Sequence, residues 1–294
     1  MDEKEKMTRF VLQKRAEGRS EATLDFYSYA LKDWLQYLWG NGQQVGTAES
    51  VLSYFVRLRG KRYSTATIRD KWRALSVFYR WAERNGLGEN IMRGMSTPPK
   101  EKKNARCFTD EEVRKMLSYL ERGDGFCAKR DLAVVCLLLG TGLRRAELLS
   151  IVRIDGDYLT VVGKGSKQRS VPIAPVLRER LKPYTEARAG IAHTPYYIVT
   201  RDGDRLSKDG LRAIFTRLSR ATGIGGRRFS AHTFRHYYAT KALANGMDIA
   251  SLQKVLGHSS LTTTALYLGW TDDMAQEANA RANPLLSFFG VFKI

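Results

Sequence analysis

A run of five residues in the last quarter of the sequence combines two histidines with an arginine. This run, HTFRH, places His232, Arg235 and His236 at positions i, i+3 and i+4. Residues at those spacings share one face of a helix. A second arginine, Arg144, lies upstream in the run TGLRRAEL, and the downstream run LGHSSLTTTALY ends at Tyr267. These residue types, taken together, suit chemistry on a phosphate ester.

The chemistry they suit is cleavage of a phosphodiester. Two arginines can each hold phosphate oxygens in a bidentate fork, and they would stabilise the charge of a pentacoordinate phosphate without a metal ion. A tyrosine hydroxyl, with an ordinary pKa of roughly 10, needs a neighbouring base or a strongly positive site to act as a nucleophile. The histidines, His232 and His258, and the arginines supply both. Lys164, in the run GKGSKQ, could protonate the departing sugar oxygen as a general acid.

The sequence gives no sign of a metal site. It has no paired carboxylates and no Asp/Glu–His cluster at metal-ligand spacing, which argues against a two-metal nuclease. Its three cysteines, Cys107, Cys127 and Cys136, form no CxxC pair, so neither a zinc site nor a disulfide framework is indicated. We therefore expect no metal and no other cofactor.

Each of these residues also has an ordinary structural role open to it. Arg144 could cap a helix or pair with Glu147, its i+3 neighbour. Lys164 could be a turn lysine, and Lys167 in the same loop could compete for its role. His236 suits a supporting hydrogen bond better than direct chemistry, and the tyrosine could be a half-buried aromatic. All of these alternatives would have to hold together on one chain, so the joint pattern favours an active site.

The charge of the chain predicts a polyanionic partner. Its 294 residues include 49 Lys and Arg against 30 Asp and Glu, a net charge of +19. Residues 1–106 hold 21 basic against 12 acidic residues, and the remainder holds 28 against 18, so both halves carry the excess. Lysines and arginines that neutralise phosphates release condensed counterions, which favours nucleic acid as the partner. An anionic membrane surface and an inert basic surface are the alternatives.

The first hundred residues predict helices. Apolar residues at helical spacing predict one helix over about 24–38, a second over about 51–60 and a third over about 65–85, with Gly86 as its C-terminal cap. On the third helix, four arginines share one flank at 100° per residue. This flank is either a solvated basic face or a DNA-contacting face, and its residues are Arg69, Arg73, Arg80 and Arg84.

A linker and a mixed second domain follow. Residues 96–106 contain two prolines and a charge cluster, as domain boundaries do. Thr109 and Glu112 fit a capping box at the start of a helix. Beyond it we expect helices over about 128–140, from near Leu143, and over 207–222, 231–245, 248–256 and 260–269. We expect a β-hairpin from 158–162 and 169–173, and a strand over 196–199. The predicted fold is mainly α with a small β-sheet or hairpin, divided into domains 1–95 and 107–294.

The last residues of the sequence are unusually apolar. Six large apolar side chains fall within residues 285–292, and if exposed they would be an aggregation hazard. They dock either on their own domain or on a neighbouring protomer. The start of the sequence is charged and has no apolar signal region, and its longest apolar run is too short to span a bilayer. These features predict a cytosolic protein with no membrane association.

Taken as a whole, the sequence resembles the tyrosine recombinases of the phage integrase family, and its layout is most similar to the small Xer-like members. The resemblance covers almost the whole chain and implies a helical, SAM-like core-binding domain, a linker and a catalytic domain. The runs TGLRRAEL, GKGSKQR, HTFRH and LGHSSLTTTALY occur in the family's order and spacing. The resemblance implies that they supply the catalytic residues Arg144, Lys164, His232, Arg235, His258 and Tyr267.

The family's mechanism is then implied for this chain. Tyr267 would attack the scissile phosphodiester and become linked to the 3′ phosphate, while Arg144 and Arg235 hold that phosphate. Lys164 would protonate the leaving 5′ oxygen, and His232 is the favoured base. Strand exchange at specific double-stranded DNA sites would proceed in a tetramer, with the tail at residues 283–294 joining protomers. The alternatives are a type IB topoisomerase and a DNA-binding regulator that has lost catalysis.

Overall fold

The computed structural model describes residues 1–100, 107–162, 168–226 and 228–257. Two compact units divide the chain, Met1–Asn104 and Ala105–Ile294. Lys164, His258, Tyr267, the helix expected over 260–269 and the apolar tail lie outside the described residues.

The first unit is a helical bundle. Its helices are α1 (Glu3–Ala16), α2 (Glu21–Gly40), α3 (Ala48–Gly60) and α4 (Thr65–Arg84). Ser64 begins α4, because its side chain accepts a hydrogen bond from the Thr67 backbone. Gly86 follows the helix with a φ of +65°, a left-handed conformation that suits glycine at a helix end. Trp34, Leu75 and Phe78 are fully buried at the centre of the bundle, so the predicted apolar stripes of α2 and α4 are confirmed as its core.

The second unit combines helices with one small sheet. Its helices are α5 (Asp110–Glu121), α6 (Gly125–Thr141), α7 (Arg145–Leu148), α8 (Pro175–Ala189), α9 (Lys208–Thr222), α10 (Ala231–Ala244) and α11 (Ile249–Leu256). The capping box predicted at Thr109 is confirmed, since Thr109 and Glu112 exchange backbone-to-side-chain hydrogen bonds. Helix α6 lies at the centre of this unit, with Ala133, Val134 and Leu137 fully buried.

The sheet has the order β1 (Arg153–Asp155), β2 (Tyr158–Val162) and β3 (Gln168–Pro172), with both pairs antiparallel. In the β2–β3 pair, Leu159 faces Val171 and Val162 faces Gln168. Leu159, Val161 and Val171 are fully buried, so one face of the sheet packs on the core. The pairing of the two strands predicted at 158–162 and 169–173 as a hairpin is therefore confirmed.

One predicted strand is wrong. Residues 196–199 make only an isolated bridge, between Val199 and Arg205. The Tyr197 backbone is occupied elsewhere: its N–H donates to the Ile151 carbonyl at 2.7 Å, and its carbonyl accepts from the Tyr184 hydroxyl at 3.0 Å. Contacts with a loop and with side chains thus replace a strand ladder. The sequence interpretation also missed α8, whose Pro183 obscures its helical character.

The predicted fold class, mainly α with a small sheet and two domains, is confirmed. Among the described residues, no helix is both long enough and apolar enough to cross a membrane.

Candidate active site

Arg235 is held deep in the second unit by two backbone carbonyls. It lies on α10, whose first turn is capped by Ser230, and only 3% of the residue is exposed. Its Nη1 donates to the Gly142 carbonyl at 2.9 Å, and its Nη2 donates to the Leu256 carbonyl at 2.7 Å. The guanidinium therefore bridges the ends of α6 and α11 in a fixed orientation.

The chain passes from α6 to Arg144 through Gly142, a position where any other residue would introduce strain. Gly142 ends α6 with a φ of +61°, a conformation that glycine adopts at little cost. A Cβ at this position would lie 2.5 Å from a ring carbon of Tyr238 and 2.8 Å from a methyl carbon of Leu256. The TGL run thus packs tightly between α10 and α11, and it turns the chain directly into Arg144.

Arg144 lies beside Arg235, and both guanidinium groups contact the C-terminal end of α11. Its Nη1 donates to the Leu256 carbonyl at 3.2 Å and its Nη2 to the Gly257 carbonyl at 3.1 Å. The two arginines share the Leu256 oxygen, so their guanidinium groups are neighbours. The Arg144 side chain remains 45% exposed, which leaves it open to a ligand in solvent.

Glu147 is the buried counterion of Arg144. Its carboxylate accepts from the Arg144 backbone N–H at 2.8 Å and from Arg144 Nη1 at 3.0 Å, and only 4% of its side chain is exposed. Arg144 therefore caps α7 and pairs with Glu147, which is the ordinary structural role that the sequence also allowed for it. The same contacts also fix its fork beside Arg235, so the two interpretations do not exclude one another.

A third arginine, Arg169 on β3, completes the cluster and was not predicted from the sequence. Its Nε and Nη2 donate to the two carboxylate oxygens of Glu147 at 3.2 and 3.1 Å. Its Nη1 donates to the Val255 carbonyl at 2.5 Å. Carbonyls at a helix C-terminus carry partial negative charge, so the last turn of α11 attracts all three arginines. We call Arg144, Arg169 and Arg235 the arginine cluster.

The arginine cluster keeps Glu147 ionised despite its burial. Burial would raise the pKa of this carboxyl, but the hydrogen bonds from Arg169 and from the Arg144 backbone outweigh it and lower the pKa below its ordinary value. The arginine cluster and Glu147 together thus comprise three fixed cations and one fixed anion, and a net positive charge remains for an anionic ligand.

The two histidines of α10 differ in their surroundings. His232 lies exposed in the first turn of the helix, whereas His236 is partly buried. Burial lowers the pKa of His236, and the neighbouring charge of His232 lowers it further. The His236 Nδ1 lies 3.4 Å from the Thr240 hydroxyl, which suits the supporting role expected for this residue. His232 has the accessibility that a base for an incoming group requires.

The structure thus brings Arg144 and Arg235 together. It also describes the residues that adjoin two further predicted site residues, His258 and Lys164, in the chain. Gly257 ends α11 with a φ of +62°, directly after the helix predicted over 248–256, and it precedes His258 in the sequence. Gln168, the first residue of β3, comes four residues after Lys164 in the sequence.

A basic groove of about 560 Å³ lies in the same unit, beside the N-terminus of α10. Ser230 and Ala231 line this groove at the helix start, and Asp209 is its acidic lining residue. The groove was not predicted, because its cations are far apart in the sequence. They are Arg145, Lys208, Arg212, Arg220 and Arg228.

In the first unit, the four arginines of α4 lie on the flank that the sequence predicts. Arg73 is exposed, contacts Asp70 at 3.2 Å and lies 4.9 Å from the centre of the Phe26 ring. Arg80 and Arg84 are also exposed. Arg69 is partly buried and donates to the Pro98 carbonyl, so its guanidinium is the least accessible of the four.

Comparisons with known proteins give a consistent assignment. The phage integrase family matches residues 106–273, and its N-terminal SAM-like domain matches residues 7–89. Tyrosine recombinase XerA of Thermococcus onnurineus is 34% identical over 272 residues, which are 90% of this chain and 91% of the relative. XerA of Pyrococcus furiosus is 32% identical over 97% of this chain and 96% of its own length.

Solved structures of recombinases share the fold. The XerH site-specific recombinase bound to palindromic difH substrate aligns with a TM-score of 0.73 at 20% identity, over 91% of this chain and 82% of that one. A lambda integrase dimer bound to a COC′ core site aligns with a TM-score of 0.76 at 18% identity, over 92% of this chain and 80% of that one.

Proposed function

Because this chain belongs to the phage integrase family and is a Xer-like tyrosine recombinase, we propose that its arginine cluster holds the scissile phosphate while Tyr267 attacks it. The family assignment carries site-specific recombination by DNA strand cleavage and exchange. What is proposed here is the role of each residue. The observation that supports it best is the convergence of Arg144 and Arg235 on the Leu256 carbonyl.

In the proposed cleavage step, the Tyr267 oxygen attacks the phosphorus and loses its proton to His232. The bond from phosphorus to the 5′ oxygen breaks, and Lys164 donates the proton that this oxygen needs. Arg144 and Arg235 stabilise the charge that develops on the non-bridging oxygens, and His258 orients the phosphate. The products are a 3′-phosphotyrosyl bond and a free 5′ hydroxyl.

The rejoining step is the reverse reaction with a 5′ hydroxyl from another strand. One phosphodiester is exchanged for a phosphotyrosyl ester and back, so the bond is conserved and no ATP is consumed. The arginine cluster supplies the fixed positive charge that a metal ion supplies in other phosphoryl-transfer enzymes. The proposed reaction is therefore independent of both metal and ATP.

The function is tested with genomic DNA fragments, a chelator and no nucleotide. We expect protein-linked 3′ ends at a defined sequence, and a plasmid carrying two copies of that sequence should yield recombinant products. Relaxation of any supercoiled plasmid without such a site would instead indicate a topoisomerase. Binding without any covalent adduct would indicate a regulator that has lost catalysis.

Replacing Lys164 with alanine should slow cleavage by about 10²–10⁴-fold, the usual contribution of a general acid. A substrate with a 5′-bridging sulfur has a leaving group that scarcely needs a proton, and it should restore the rate of this variant. Lys167→Ala, in the same loop, is the matched control and should cleave both substrates at normal rates. Sulfur rescue of Lys167→Ala but not of Lys164→Ala would transfer the role to Lys167.

The proposed DNA contacts extend over both units. Residues 1–95 form the proposed core-binding domain and residues 107–294 the catalytic domain, joined by the linker at 96–106. On α4, the exposed Arg73, Arg80 and Arg84 present their charges on one flank, and Arg69 contributes the alkyl part of its side chain there. In the second unit, the basic groove offers five cations beside a helix N-terminus, where phosphate binding is favoured.

The proposed assembly is a tetramer on two recombination sites in the cytoplasm. Its support is the apolar composition of residues 283–294, and a lambda integrase solved on a core site also self-associates, as a dimer. A tail that docks on the next protomer forms a heterologous contact, which can close into a ring. Pro284 is compatible with this arrangement, because proline disfavours the continuation of a helix.

A further inference from the structure

All three nitrogens of the Arg169 guanidinium have protein acceptors. Two of its nitrogens bind the two Glu147 oxygens, its Nη1 binds the Val255 carbonyl, and its Nη2 also lies 3.5 Å from the Leu256 carbonyl. Its side chain is 22% exposed, against 45% for Arg144. Both arginines thus donate to protein acceptors, but Arg144 keeps about twice the exposed fraction of Arg169.

The charge of Glu147 calls for a second arginine. If Glu147 were paired with Arg144 alone, it would neutralise the positive charge of Arg144 and occupy several of its N–H donors. Arg169 meets the carboxylate with a side-on bidentate contact from strand β3, which is the strongest geometry available to this pair. The carboxylate therefore shares its charge between two arginines, and the α11 carbonyls hold Arg169 in place.

We propose that Arg169 is a positioning residue that compensates the charge of Glu147, so that the partly exposed guanidinium of Arg144 keeps its positive charge available for the DNA phosphate. The proposal rests on the proposed role of Arg144 in cleavage. It gives Arg169 no contact with DNA. It also explains why a carboxylate lies buried in a site that must bind an anion: Glu147 fixes Arg144, and Arg169 prevents it from neutralising Arg144.

Arg169→Ala should slow single-turnover cleavage about 10²-fold, because a small displacement of a catalytic group has an effect of this size. The assay is formation of the covalent adduct on a nicked suicide substrate carrying the mapped site, and duplex affinity should change less than about threefold, since Arg169 makes no proposed DNA contact. The matched control is Arg153→Ala, which removes an exposed arginine paired with Asp155 on the edge strand of the same sheet. It should cleave like the wild type.

A second substitution separates charge compensation from a purely structural role. Glu147→Gln removes the charge but keeps the shape, so adding it to Arg169→Ala should recover about 10-fold of the lost rate. A structural defect would not be recovered in this way. If Arg169→Ala does not fold, as judged by thermal melting, Arg169→Gln replaces it, because glutamine removes the charge but keeps an amide that can donate to Glu147. It should be about 10-fold slow and recover with Glu147→Gln.

Three results would overturn the inference. They are normal cleavage by Arg169→Ala, equal losses of affinity and cleavage, and no recovery in the double variant. A wild-type protein that forms no adduct would contradict the proposed function itself, and the wild-type lane of the same assay reveals that failure separately.

Discussion

Arg235→Ala should lose about 10²–10³-fold in cleavage rate, the usual effect of removing one donor that stabilises transition-state charge. Arg235 is held by the Gly142 and Leu256 carbonyls and is 3% exposed, so the position of its charge is fixed before the reaction begins. Duplex binding should fall only modestly, because many other cations contribute to it. Arg144→Ala should behave similarly, and single-turnover cleavage together with a binding titration measures both effects.

The stability of Arg235→Ala must be measured alongside its activity. The substitution leaves a buried Gly142 carbonyl without its donor, which costs about 1–3 kcal/mol. Arg180→Ala is the matched control, because it removes a surface arginine paired with Glu121 and should change neither rate nor affinity. Equal losses of binding and cleavage in Arg235→Ala would identify an ordinary phosphate anchor and contradict the proposed role.

Tyr267→Phe should abolish the covalent adduct and leave duplex binding nearly unchanged, because only the attacking oxygen is removed. The two other tyrosines nearest to the HTFRH run are poor candidates for the nucleophile. Burial and the Asp110 carboxylate raise the pKa of Tyr237 to about 12, and its hydroxyl donates to Asp110 at 3.0 Å. Burial also raises the pKa of Tyr238, which packs against Gly142.

Tyr237→Phe and Tyr238→Phe are therefore the control variants, and both should form the adduct on the suicide substrate. Denaturing electrophoresis of labelled DNA detects it directly. An adduct that persists in Tyr267→Phe and disappears in one of the controls would move the nucleophile to α10.

Local patterns in the sequence predicted much of the fold. The apolar period of α4 and the caps at Gly86 and Thr109 act within a few residues, so they can be recognised without the structure. The strand expected at 196–199 failed because a long-range contact, from Tyr197 to Ile151, decides its backbone. Helix α8 was missed because its interior proline hides an otherwise regular element.

The candidate site likewise has features that the sequence predicts and features that depend on long-range contacts. The motif around Arg144 and Arg235 is local and could be recognised, whereas their meeting point could not. It is created by α6, α10 and α11, and the Arg235 contact with Gly142 spans 93 residues. Arg169 ends the GKGSKQR run, but its role was missed because its partners, Glu147 and Val255, are 22 and 86 residues away.

The measurement that tests the central claim most directly is mass spectrometry of the trapped wild-type adduct after nuclease and protease digestion. The reaction contains a chelator and no nucleotide. The account predicts a single nucleotide-bearing peptide modified on Tyr267 and linked through the 3′ phosphate. Linkage to another residue, linkage through a 5′ phosphate, or an adduct that forms only when metal is added would contradict it.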